Sequence, residues 1–177
     1  PDTDLSPLLE ILPFEPTGAQ KRAFTDIAKD MSSERPMMRL VSGDVGSGKT
    51  AVAAAAAYIA VKNGYQCALM APTEILATQH FNDLMPMFGR LGYGCRLLTG
   101  STKAAEKREI TAALADGTLK LVIGTHALIS EGIRFGKPGL VICDEQHRFG
   151  VGQRETLLEK ASPKGGHAPE LTMSATP

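Results

Sequence analysis

The chain has 177 residues, 43% of them hydrophobic, which suits one domain of ordinary size with its own core. Its 19 basic residues equal its 19 acidic ones, so a protein that coats nucleic acid by charge alone is excluded, though a local basic surface is not. The 3 cysteines stand far apart in apolar runs without metal-ligand spacing, and no stretch reaches the ~18 apolar residues that span a bilayer; buried free thiols, no zinc site and no membrane contact are expected.

Residues 1–16 are rich in Pro and Asp and read as an entry arm or linker ahead of a domain over 17–177. Thr17 can cap a helix over 17–31, with Ala19, Ala23, Phe24, Ile27 and Met31 on one face. A short apolar strand over 39–42 leads into a loop over 43–48. The helix that follows, 49–63, is apolar almost all round and therefore buried, and Gly64 ends it. A strand over 67–71 precedes a helix from Thr73 to about Leu91, which Pro86 is expected to break or kink. A strand (96–99), a helix (103–115), another strand (119–124) and a helical turn near 126–129 come next. A strand over 140–144, a helix over 153–160, a Gly/Pro-rich loop and a strand over 170–174 complete the pattern. Short apolar strands alternating with helices imply a mainly parallel sheet with helices on both faces, an α/β fold. In such sheets ligands gather at the carboxyl ends of the strands.

Two groups of residues at that edge carry chemistry. Gly43-Asp44-Val45-Gly46-Ser47-Gly48-Lys49-Thr50 fits the phosphate-loop pattern G-x-x-x-x-G-K-[ST], with a strand before it and a helix after it. Glycines let the loop curl its N–H groups around a phosphate, and the helix N-terminus adds a favourable dipole. Lys49 can reach the β- and γ-phosphates of ATP, and the Thr50 hydroxyl can sit on Mg²⁺. The strand Leu140-Val141-Ile142-Cys143 ends in Asp144 and Glu145. Placed beside the loop, Asp144 would serve the same Mg²⁺, and Glu145 would orient or deprotonate the attacking water.

The order of phosphate loop, Asp144-Glu145-Gln146-His147 and Ser174-Ala175-Thr176-Pro177 resembles motifs I, II and III of superfamily 2 helicases and translocases. The stretch from Ala71 to His80 resembles their motif Ia. Leu98-Thr99-Gly100-Ser101 and Ile123-Gly124-Thr125-His126-Ala127-Leu128 are similar to their strand-edge loops for DNA backbone contact. Within the superfamily, Gln146 and the Gln153-Arg154 pair incline the resemblance to the bacterial fork-remodelling helicases rather than to their near relative, the transcription-repair coupling factor.

The resemblance implies a RecA-like P-loop NTPase fold, ATP and Mg²⁺ as cofactors, and branched or duplex DNA as partner. It implies further partners in a wedge domain and a second RecA-like lobe of the same parent chain. Because the chain opens on Pro1 and stops after Pro177, it reads as one lobe of a longer bacterial, cytoplasmic, nucleoid-associated motor. An upstream stretch, Phe14 to Gln20, resembles the adenine-recognition segment of that superfamily. Gln20 would read the adenine edge with Phe14 beside it, or would be an ordinary first-turn residue. Thr73, Gly100, Ser101, Thr125 and His126 would hold DNA phosphates, with helix capping by Thr73 as an alternative or an addition. His147, grouped with the catalytic residues, would also couple the nucleotide site to motif III, together with Gln146, Arg148, Ser174, Ala175 and Thr176. A nucleotide-binding module that does not hydrolyse, and a metabolic P-loop kinase, are the competing readings; Asp-Glu-x-His followed by Ser-Ala-Thr disfavours the kinase.

Overall fold

The computed structural model describes residues 2–12, 15–32, 38–43, 49–144, 151–161 and 169–175, with 38–43, 49, 151, 152, 154 and 174–175 entering through their backbone alone. In chain order the elements are α1 (Ser6–Ile11), α2 (Gly18–Ser32), β1 (Met38–Gly43), α3 (Lys49–Lys62), β2 (Gln66–Met70), α4 (Glu74–Arg90) and β3 (Cys95–Leu98). Then follow α5 (Ala104–Ala115), β4 (Leu121–Gly124), a 3-10 turn (His126–Ile129), β5 (Pro138–Asp144), α6 (Val151–Ala161) and β6 (Glu170–Ala175). The strands form one sheet in the order β1-β6-β5-β2-β4-β3, and every pairing is parallel.

Alternation along the strands splits the core in two, as a sheet covered on both faces requires. Cys67, Leu69, Leu121, Ile123, Leu140, Ile142, Leu171 and Met173 point to the face covered by α1, α2, α3 and α4. Ala68, Met70, Val122, Val141 and Cys143 point to the opposite face, where Ile110 and Leu114 of α5 and Leu157 of α6 cover them. All 3 cysteines are free and buried, as expected.

Local sequence explains where the helices begin and end. Thr17 and Gln20 form a reciprocal capping box at the start of α2: the Gln20 N–H donates to the Thr17 hydroxyl at 3.1 Å, and the Thr17 N–H donates to Gln20 Oε1 at 2.9 Å. Helix α3 begins with Lys-Thr-Ala-Val and continues through five successive alanines, the residue with the highest helix propensity. It ends where Gly64 takes φ +90°, with Gly64 N–H on the Val61 carbonyl and Tyr65 N–H on the Ala60 carbonyl, each at 3.0 Å. That pair of bonds is the Schellman arrangement, which only glycine enters without strain.

The break expected at Pro86 does not occur, and the first residues carry a helix of their own. Helix α4 runs unbroken through Pro86. Proline removes the N–H that would reach the Asn82 carbonyl, but Asn82 and Pro86 both lie on the exposed side, where such a carbonyl is open to solvent, while Leu84 and Phe88 stay buried beneath. The first residues are also more than an arm. Leu5 and Leu8 are buried, and Asp2 and Asp4 are tied to the end of α3 through Asn63 and Lys62, with Asp2 N–H on Asn63 Oδ1 at 2.8 Å and Lys62 Nζ on the Asp4 carbonyl at 2.8 Å. Lys62 also pairs with the Asp2 carboxylate at 3.0 Å.

Candidate nucleotide site and its strand-edge loops

The parallel strands deliver the candidate residues to one edge. Gly43, at the end of β1, lies opposite Ala175 of β6, and Met173 of β6 lies opposite Asp144 at the end of β5. The phosphate-loop sequence therefore leaves the sheet two strands from Asp144, a lateral offset of about 10 Å at ordinary strand spacing. Helix α3 starts at Lys49 and packs over β1, β6, β5 and β2, so its N-terminus faces the edge where Asp144 ends. Thr50, its second residue, is half-buried.

Asp144 continues the alternation of Leu140 and Ile142, which turns its side chain to the α3/α4 face. There the Nε2 of His80 meets Asp144 Oδ2 at 2.7 Å, with only 14% of the His80 side chain and 6% of the Asp144 side chain exposed. A carboxylate accepts and does not donate, so with Asp144 ionised the bond requires the tautomer that bears its hydrogen on Nε2. His80 stands at the end of the stretch that resembles motif Ia, and nothing in that resemblance assigns it a role. A signal was present: Ala77, His80, Leu84 and Phe88 follow helical spacing, so a polar residue stands in the apolar stripe of α4.

The strand-edge loops are organised by a second overlooked side chain. Glu74, in the first turn of α4, accepts the Thr99 hydroxyl at 3.1 Å and the Ser101 hydroxyl through the same Oε1. The Thr99 N–H donates to the Thr102 hydroxyl at 2.9 Å, which closes the loop after β3. Thr73 is the cap of α4, its hydroxyl accepting the Leu76 N–H at 3.2 Å. Thr73, Gly100, Ser101 and His126 are exposed along this edge, as phosphate contacts need to be. Thr125 is not: it is 3% exposed, and its hydroxyl accepts the Ala127 N–H at 3.4 Å at the start of the 3-10 turn. What that segment offers to a ligand is therefore His126. Gly124 is required here, because a Cβ would stand 2.1 Å from the Leu98 carbonyl oxygen. The bare backbone lets the Thr125 N–H reach that carbonyl at 3.3 Å and the Ala71 N–H reach the Gly124 carbonyl at 2.8 Å.

Gln20 is half-buried, and its Oε1 is engaged in the capping box. Its amide NH₂ remains the group through which it could address a base. Phe14, Asp44, Val45, Gly46, Ser47, Gly48, Glu145, Gln146, His147, Arg148 and Thr176 lie outside the described residues. Ser174 and Ala175 stand on β6 opposite Ser42 and Gly43, which places the third motif beside the start of the phosphate loop.

The donor set suits a hard dication. A strand-end carboxylate and a threonine hydroxyl are oxygen ligands, and among the described residues no three His, Cys, Asp or Glu side chains converge. Oxygen donors of this kind are those that Mg²⁺ takes in nucleotide sites, where phosphate and water complete its sphere.

A parallel sheet with a phosphate-loop sequence between its first strand and the next helix, and with an acidic strand end on the same edge, defines the class: a P-loop nucleotide-binding domain of RecA-like fold. The chain belongs to the DEAD/DEAH box helicase family, whose model matches residues 17–177. It is similar to the ATP-dependent DNA helicase RecG of Synechocystis sp., with 53% identity over 169 residues, 95% of this chain and 20% of that protein. With RecG of Escherichia coli (strain K12) it shares 50% identity over 176 residues, 99% of this chain and 25% of that protein. The chain thus spans a fifth to a quarter of the length of these relatives. A structure of RecG bound to a three-way DNA junction matches with a TM-score of 0.83 and 46% identity, covering 96% of this chain and 22% of that one. Helicase Lhr of Mycobacterium smegmatis shares the fold alone, with a TM-score of 0.58 and 19% identity over 79% of this chain and 20% of that one. Among the described residues no helix is long and apolar enough to cross a membrane.

Proposed function

We propose that this chain is the first ATP-binding lobe of a RecG-type DNA helicase or translocase, which uses ATP hydrolysis to remodel branched DNA such as stalled replication forks. The observation that carries the reading is the likeness to RecG over nearly the whole chain, joined to a phosphate-loop sequence and Asp144 on one sheet edge.

In this reading Gly43 to Gly48 wrap the phosphates with backbone N–H groups, and the α3 N-terminus adds its dipole. Lys49 neutralises charge on the β- and γ-oxygens. Thr50 and Asp144 hold Mg²⁺, which when bound screens the negative charge that builds on the phosphates. Glu145 orients and deprotonates the attacking water. Gln20 addresses adenine with its amide NH₂, and Phe14 covers the base. His147, Gln146, Arg148, Ser174, Ala175 and Thr176 pass the state of the γ-phosphate to the rest of the motor.

Thr73, Gly100, Ser101 and His126 form the DNA-facing edge, with Thr125 as the residue that shapes it. The domain over 17–177 works with a wedge domain and a second RecA-like lobe of the same parent chain, and the arginine that reaches the γ-phosphate comes from that second lobe. A bacterial, cytoplasmic location on the nucleoid agrees with a DNA substrate.

The test is ATP turnover by the full-length parent protein with and without a three-way junction. Wild type is expected to be stimulated by the junction. Lys49→Ala is expected to lose turnover by about 100-fold or more, since removing such a charge clamp weakens transition-state binding by several kcal/mol. Turnover by Lys49→Ala within about twofold of wild type would overturn the phosphate-loop assignment.

A further inference from the structure

The observation that points beyond the proposed function is the contact of His80 with Asp144 from a helix whose first turn belongs to the other half of the site. Asp144 is a strand-end carboxylate with very little exposure, and a carboxylate so placed needs donors to hold it charged and in one orientation. The His80 imidazole supplies one at 2.7 Å through Nε2. His80 itself is fixed by the apolar stripe of α4, between Ala77 and Leu84. Seven residues earlier on the same helix stands its cap, Thr73, at a distance of about 10 Å along the axis. Between them Glu74 grips the loop after β3 through Thr99 and Ser101. One rigid helix therefore touches the strand-edge loops at its first turn and the site carboxylate at its second.

We propose that His80 is a positioning residue: it sets the orientation of the Asp144 carboxylate toward the cation and ties that orientation to the placement of α4, so that occupancy of the strand-edge loops is felt at the nucleotide site. The inference rests on the reading of Asp144 as the Mg²⁺-site carboxylate. A donor on the far oxygen of a ligand carboxylate restricts its rotation and tunes its basicity. A shift of α4 of a fraction of an ångström changes that hydrogen bond directly, since the helix moves as a body. His80 acts through Asp144.

The test uses the full-length parent protein with His80→Ala and His80→Gln, the glutamine amide being a donor of similar reach. Two quantities are read: the gain in ADP affinity on replacing EDTA by Mg²⁺, and the kcat and KM of ATP turnover with and without a three-way DNA junction. His80→Ala is expected to lose about 10-fold or more of the Mg²⁺-dependent gain and about 10–100-fold of junction-stimulated kcat, with KM for ATP within about threefold; His80→Gln is expected to recover most of both. Wild-type values for His80→Ala overturn the inference. So does an equal fall in both variants with a lowered melting temperature, which would make His80 a packing residue. Asp144→Asn run in parallel separates the two ideas: if that variant keeps its Mg²⁺-dependent affinity, the reading of the site has failed and the role of His80 falls with it.

Discussion

The Glu74 carboxylate accepts hydroxyls from Thr99 and Ser101, so one side chain joins the first turn of α4 to the loop that follows β3. Glu74 sits in the first turn of α4, close to the free N–H groups of the helix end. Glu74→Ala should release the 99–102 loop while leaving the fold intact. Because the group is exposed, the expected loss of global stability is small, about 0.5–1 kcal/mol. Amide hydrogen exchange of residues 99–102 is the sensitive measurement, and it should accelerate in the variant. Unchanged protection would mean that the loop is held by its own Thr99–Thr102 bonds.

Gln20 serves the capping box and is proposed to read adenine, and the two roles separate by substitution. Gln20→Glu keeps an acceptor for the Thr17 N–H and loses the amide donor. Gln20→Ala loses both. Thermal melts should place Gln20→Glu near wild type and Gln20→Ala about 0.5–1 kcal/mol lower. Competition among ATP, GTP and CTP should show weakened ATP preference in both. Full ATP preference in Gln20→Glu would leave the residue with its capping role alone.

Gly124→Ala should damage the sheet rather than a contact with ligand. The new methyl group would lie 2.1 Å from the Leu98 carbonyl oxygen and close to Leu128, so β3 and β4 must separate. A loss of about 2–4 kcal/mol is expected, as for other backbone overpacking. Urea denaturation measures it, and a change under about 0.5 kcal/mol would contradict the close approach.

Burial pushes the Cys95 thiol up to about 12 and the Cys67 thiol higher still. Thiolate is the reactive species, so at pH 8 both thiols stay protonated and unreactive. Iodoacetamide should leave both residues unmodified in the native chain and label them after unfolding, as read by mass spectrometry. The unfolded thiols release protons near pH 9 while the folded ones do not, so stability from this source is complete below about pH 9 and falls as pH rises above it. Labelling of Cys67 or Cys95 at the rate of a free thiol would place them at the surface.

The sheet and its helices were legible because their signals are local and redundant. Strand residues such as Leu140 to Cys143 are uniformly apolar, and α3 is both helix-forming and flanked by a loop and a glycine. The phosphate-loop sequence carries its own context. Helix α1 was not legible, since six residues hold too few turns to show a period and the Pro and Asp around Leu5 and Leu8 imitate a linker. Pro86 misled because its effect depends on which side of α4 it occupies, a tertiary matter. His80 and Glu74 were missed for a related reason. Each acts across a gap of 64 or 27 residues, and only the stacking of strand ends brings His80 to Asp144 and Glu74 to Ser101.

Helix α3 has a mechanical consequence. From Ala51 to Val61 every residue is nearly or wholly buried, and α2, α4 and four strands surround it. Alanine has no rotamers to freeze and its methyl group allows close backbone approach, so the helix's own alanines are seated with little entropy loss. A helix held that way works like a shaft in a tight bushing. A displacement of the helix as a body would meet the sheet and both neighbouring helices at once. The same tightness leaves almost every position of the shaft intolerant of a larger residue, so variation in this domain is expected to collect on α5 and the outer side of α4 and to avoid α3.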